Sequence, residues 1–131
     1  MLRTDRKKMA QLAAKFGVEM LVLFGSQARG DAHKSSDVDI AYLAPGGLSL
    51  RREAQLAAAL SHACHAKDID LVPLRHMQPL LAYQVAKSGK VLYEGRRSLF
   101  NSFSLYAIKL YHESRPLMAM REERLRQRVG A

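Results

Sequence analysis

Cysteine is nearly absent from this 131-residue chain, and tryptophan is absent altogether. The lone Cys64 can close no internal disulfide and can build no zinc site with other cysteines, which fits a reducing compartment. No run approaches the ~18 to 20 apolar residues that a membrane helix requires. The basic start, Met1 to Lys8, leads into no long apolar stretch and no small-residue cleavage site. Repeats and low-complexity segments are missing too, and the length leaves no room for a second full domain. What remains is ordinary globular composition, 48% hydrophobic and 25% charged, and the expectation is a soluble protein of the cytoplasm.

Acidic residues are the scarcer charge: 12 Asp plus Glu against 21 Lys plus Arg, a net +9. A balance this basic points to a polyanionic partner, yet the excess is entirely terminal. Residues 1–15 carry five basic and one acidic side chain, residues 16–95 carry eight of each, and residues 96–131 carry eight basic against three acidic. The neutral middle gathers Asp31, Asp37, Asp39, Asp68 and Asp70 into two short stretches, so an acidic site belongs there and not on the arms.

Apolar spacing predicts a first helix over 5–16, stopped by Gly17, and a buried strand over Val18 to Phe24. Ser26 to Ala32 has room for a turn or two of helix. A second strand over Val38 to Leu43 sets Asp37 and Asp39 on one face and Val38 and Ile40 on the other. Ser49 caps a helix reaching about His65, a strand follows at Ile69 to Leu74, and Pro79 and Gly89 bracket the next helix. Val91 to Tyr93 suits a short edge strand. Leu99, Phe103, Tyr106 and Leu110 mark another helix, which Pro116 is expected to interrupt, leaving a separate terminal helix to about Arg128. The order predicts an α/β (α+β) domain, a small mixed sheet with flanking helices.

Asp37 and Asp39 are two apart on one strand, and Asp70 follows on the next strand, where it joins their face if the two strands are neighbours. Three clustered carboxylates repel one another and raise one another's pKa values unless a cation sits among them. Oxygen ligands with room left for water and phosphate suit Mg²⁺ best, with Mn²⁺ as a substitute. Ahead of them, Gly25 allows a sharp turn and close backbone approach, and Ser26 offers a hydroxyl and an N–H at a helix start, where anions are favoured.

Gly25-Ser26, ten residues, then Asp37-Val38-Asp39, inside Leu-Phe-Gly-Ser-Gln-Ala-Arg-Gly-x(5)-Ser-Asp-Val-Asp-Ile, resembles the signature of the DNA polymerase β-type nucleotidyltransferase superfamily. The short length, Ile69-Asp70-Leu71-Val72 and Lys90-Val91-Leu92-Tyr93-Glu94-Gly95 resemble the minimal nucleotidyltransferases, including the MntA-type antitoxins that accompany HEPN-domain toxins. The resemblance covers about residues 5 to 97. It divides the chain into a minimal nucleotidyltransferase domain, 1–97, and a C-terminal helical extension of the same domain, 98–131. It implies that Asp37 and Asp39 ligate two Mg²⁺ ions and that Asp70 completes the ion nearer the attacking hydroxyl. It also implies that Gly25 and Ser26 hold the terminal phosphates of ATP, with Arg29 reaching the triphosphate and Ser36 orienting Asp37 or touching the nucleotide.

The activity implied is transfer of AMP from ATP to a hydroxyl, by resemblance a tyrosine of a partner HEPN toxin, which neutralises the toxin. Transfer to a small molecule, as in aminoglycoside-modifying relatives, shares the same strings but needs a further helical domain or a dimer. A non-catalytic antitoxin or RNA-binding module working through its basic surface is the third reading, and the intact set of three aspartates speaks against it. His62 and Cys64 lie two apart on a predicted helix and do not share a face, so Cys64 reads as a small core residue. Tyr106 and Tyr111, near Phe100 and Phe103, read as helix core, with a partner-facing stripe as the alternative.

Overall fold

A computed structural model describes residues 4–25, 28 and 38–129. Helix α1 is Arg6–Phe16, strand β1 Met20–Phe24, strand β2 Val38–Leu43, helix α2 Leu50–Cys64 and strand β3 Ile69–Pro73. Helix α3 is Pro79–Ser88, strand β4 Lys90–Glu94 and helix α4 Leu99–Val129.

The helix ends carry the caps their sequences dictate. Asp5 accepts from the Lys7 N–H at 2.9 Å and Ser49 from the Arg52 N–H at 3.2 Å, each occupying a backbone donor that the first turn leaves open. Gly17 closes α1 in the left-handed region, φ +67°. Pro79 opens α3, where its missing N–H costs no helical bond.

The four strands lie in the order β3-β2-β1-β4. β1 is antiparallel to both β2 and β4, while β2 and β3 are parallel, with α2 making the crossover between them. Central β1 is buried along its whole length because both faces are covered. Leu21 and Leu23 join Val38, Ile40 and Tyr42 beneath Met9, Ala13 and Phe16 of α1 and Leu56, Leu60 and Cys64 of α2. Met20, Val22 and Phe24 face the other way, with Ala41, Leu74, Val85 of α3 and Leu99 of α4. Cys64 is thus a core residue, its thiol pKa raised by burial. Tyr42 donates to Glu53 Oε2 at 2.5 Å, and burial together with that bond pushes its pKa well above the usual tyrosine value.

Two expectations are corrected. Pro116 does not divide the C-terminal segment, because α4 runs unbroken through it from Leu99 to Val129. Proline removes one bond to the carbonyl of residue 112, and His112 and Pro116 are both exposed, so water replaces the lost donor. Tyr106 is not core: it is 64% exposed. Tyr111 is half-buried and stacks on Tyr83 of α3, ring centroids 4.2 Å apart. The first half of α4 therefore packs on α3, and Glu94 at the end of β4 accepts from the Phe100 N–H at 3.0 Å. From Arg115 to Arg128 every side chain but Met118 is exposed.

Candidate active site

Parallel pairing of β2 with β3 sets Asp39 directly opposite Asp70. Residues in register on neighbouring strands share a face, and strands lie about 4.8 Å apart, so two carboxylates stand side by side at one end of the sheet. A bond from the Val38 N–H to the Asp68 carbonyl, 3.1 Å, extends the ladder and fixes this register where the strands begin. Antiparallel pairing places Phe24, the last residue of β1, opposite Asp39 on the other side. The chain then turns at Gly25 with φ +78°, a conformation that side chains disfavour.

Gly25 is also pressed against Asp39. A Cβ at this position would fall on the Asp39 carboxylate Oδ2 and lie 3.3 Å from its carboxyl carbon. Backbone strain and lack of space therefore require glycine at 25 independently. The sequence announces the glycine; its contact with Asp39 is visible only once β1 and β2 are paired.

Asp39 is half-buried and Asp70 exposed, a gradient running from the sheet centre toward β3. Adjacent carboxylates beside an open backbone turn are oxygen donors of the kind that hard divalent cations take, so these residues fit magnesium or manganese. Asp37, Ser26, Arg29 and Ser36 lie outside the described residues, and among the described residues no group of three acidic, histidine or cysteine side chains could hold a metal. Ala28 is helical and buried with Leu21 and Leu23 in the cluster that α1 and α2 cover. His62 is exposed beside a cleft of about 250 Å³ between α1 and α2, and buried Cys64 points elsewhere.

Reading across the rim, the strand ends present Asp70, Asp39 and the Phe24-Gly25 turn, while Lys90, the first residue of β4 and the partner of Leu23, faces the other side of the sheet. The sequence shows Lys90 only as part of an edge-strand string; its place at this rim follows from β4 running antiparallel to β1. No described helix is long and apolar enough to cross a membrane.

Comparison with known proteins agrees with this geometry. A protein adenylyltransferase MntA from Shewanella oneidensis is 36% identical over 94 residues, 72% of this chain and 66% of that protein, so the match spans just under two thirds of the relative's length. A crystal structure of a toxin–antitoxin with AMP-PNP superposes with TM-score 0.73 at 31% identity, covering 92% of this chain and 98% of that one. A structure of the tri-AMPylated Shewanella oneidensis HEPN toxin in complex with MNT antitoxin gives TM-score 0.66 at 28% identity, covering 92% and 95%. The pattern described as Polymerase beta, Nucleotidyltransferase matches residues 7–98. That stretch runs from α1 through β4, so the whole sheet and everything at its rim fall inside the match, and the chain belongs to the polymerase beta nucleotidyltransferase family.

Proposed function

We propose that the chain is a magnesium-dependent protein adenylyltransferase that moves AMP from ATP onto a tyrosine hydroxyl of a HEPN-domain toxin and thereby acts as its antitoxin in the cytoplasm. The observation that carries this reading is the in-register pair Asp39 and Asp70 beside a turn that only glycine can make. Its support from relatives is the adenylyltransferase just described, the bound AMP-PNP and the tri-AMPylated toxin.

In this reading Asp37 and Asp39 would hold two Mg²⁺ ions and Asp70 would complete the ligand set; Mn²⁺ can substitute. Bound there, the ions supply charge neutralisation for the triphosphate and lower the pKa of the attacking hydroxyl. Gly25 lets the backbone approach the phosphates without a side chain in the way, Ser26 donates to them, Arg29 adds positive charge, and Ser36 orients Asp37. The acceptor oxygen forms a bond to the α-phosphorus while the bond from that phosphorus to the bridging oxygen breaks. Pyrophosphate leaves with the electron pair, and the hydroxyl proton is lost to solvent on the exposed Asp70 side.

The test is transfer of α-labelled phosphate from ATP to the HEPN partner. Asp37→Asn or Asp39→Asn should lower transfer by about a hundredfold or more, the scale of losing one electrostatic stabiliser, while Asp70→Asn should reduce the rate more than it weakens ATP binding. Wild-type-like labelling by either of the first two variants would overturn the assignment. Full protection of cells by the double variant would show that binding alone neutralises the toxin.

A further inference from the structure

We infer that the groove between α1 and α2 binds a nucleotide unit, with the base in one part and the phosphate in another. This groove stands apart from the aspartates. Val38 and Ile40 face α1 and α2, so Asp39 between them, and Asp70 in register with it, look the other way. The inference therefore does not depend on the transferase reading.

Two clefts adjoin here and share Lys8 and Ala63 in their walls. The first, about 250 Å³, has aliphatic walls: Leu12 from α1, and Ala59 and Ala63 from α2, all half-buried. Gln11 and His62 stand exposed at its edge, an amide able to pair with the edge of a base and an imidazole able to stack on its plane. Spacing by three and four residues puts Lys8, Gln11 and Leu12 on one face of α1, and Ala59, His62 and Ala63 on one face of α2, so these side chains converge. The second cleft, about 520 Å³, is lined by Thr4, Asp5, Arg6 and His65 besides the shared pair.

Charge decides what the second cleft takes. Asp5 is engaged as the cap of α1, accepting from the Lys7 N–H at 2.9 Å, whereas among the described residues no ion pair engages Arg6 or Lys8. The first turn of α1 holds the cations Arg6, Lys7 and Lys8 and no acid. The helix dipole is positive at that end and disfavours them, so an anion bound there relieves the repulsion. The facing negative end of α2 is muted, because the Ser61 and His62 carbonyls accept from the N–H groups of Ala66 and His65. An apolar slot continuous with a cationic hollow suits a base joined through its sugar to a phosphate. A free nucleotide and one residue of a nucleic-acid strand share that chemistry.

Calorimetric titration of the full chain in EDTA with AMP, a short oligoadenylate and inorganic phosphate tests the assignment. Lys8→Met should weaken binding about tenfold, the scale of losing one hydrogen bond to a charged group. Lys7→Met removes the same charge from the same turn but lines neither cleft, and should change affinity by less than about twofold. Ala63→Leu fills the shared wall without touching charge and should also weaken binding about tenfold. Removing a cation from the positive end of α1 should leave the melting temperature unchanged or raise it, so lost binding in Lys8→Met is not lost folding. Lys8-dependent binding of AMP identifies a free nucleotide as the source, and binding of the oligoadenylate alone identifies a strand. Equal losses in Lys7→Met and Lys8→Met would reduce the site to diffuse attraction by a basic arm, and phosphate bound as tightly as AMP would remove the base slot. Either result overturns the inference, as does a wild-type chain that binds neither AMP nor oligoadenylate.

Discussion

Replacing Gly25 by alanine separates backbone strain from displacement of a carboxylate. Gly25 and Gly17 both hold left-handed φ values, +78° and +67°, and alanine pays about 1–2 kcal/mol in that region. At Gly17 a Cβ meets nothing within 4 Å, so Gly17→Ala carries the backbone cost alone. At Gly25 the new Cβ lands on Oδ2 of Asp39 with the carboxyl carbon at 3.3 Å and Cβ at 3.5 Å, so the carboxylate as a whole has to move. A shift on the order of 1 Å at a reacting centre costs about a hundredfold in rate. Both variants should therefore lose a few degrees of melting temperature, while only Gly25→Ala loses AMP transfer, by about a hundredfold. Thermal unfolding and transfer from α-labelled ATP, run on the two proteins side by side, measure both terms. Equal transfer rates in Gly17→Ala and Gly25→Ala would refute the claim that the turn sets the position of Asp39.

Two further outcomes are expected. Arg124, Arg126 and Arg128 are exposed on the outer part of α4. Changing all three to Glu should weaken association with the proposed HEPN partner and its salt dependence, while Mg²⁺-ATP binding stays intact; partner binding by pull-down and ATP binding by calorimetry check this. Tyr42 offers a pH test. Its folded-state pKa is raised, by burial first and by Glu53 second, so the folded state holds the proton more tightly than the unfolded chain. The resulting stability is complete below the unfolded value near 10 and is lost as pH rises through the higher folded value. Denaturant melts from pH 9 to 11.5 should therefore show wild type losing more stability than Tyr42→Phe, and parallel losses would remove Tyr42 as the source.

Most of the element order is legible in the sequence because caps and periodicity are local properties. Asp5, Ser49, Pro79 and Gly17 mark helix ends through bonds made within a few residues. The site is less legible. Asp39 and Asp70 announce themselves as strand residues, but their juxtaposition depends on β2 and β3 being parallel neighbours, which a pairing across α2 decides. The facing of Lys90 is further from view, since one extra residue, Leu92, in an edge strand turns it to the Leu23 face, opposite Asp39. Pro116 misleads for the opposite reason. Its local rule is sound, but on an exposed stretch of α4 solvent absorbs the penalty that a buried helix would feel.

The sheet order also governs when the rim comes into being during folding. The strands that meet there come from opposite ends of the first 94 residues, and β1 must pair with β4, joining Met20 to Glu94, before the row is complete. Such pairings carry high contact order, so the loop closing them is paid in chain entropy before any contact rewards it. A chain truncated or still being synthesised short of β4 can form α1 and α2 locally. It leaves one edge of β1 bare, and with it the side of the rim opposite the carboxylates. Completion of the sheet is in this sense tied to closure of the outer strand.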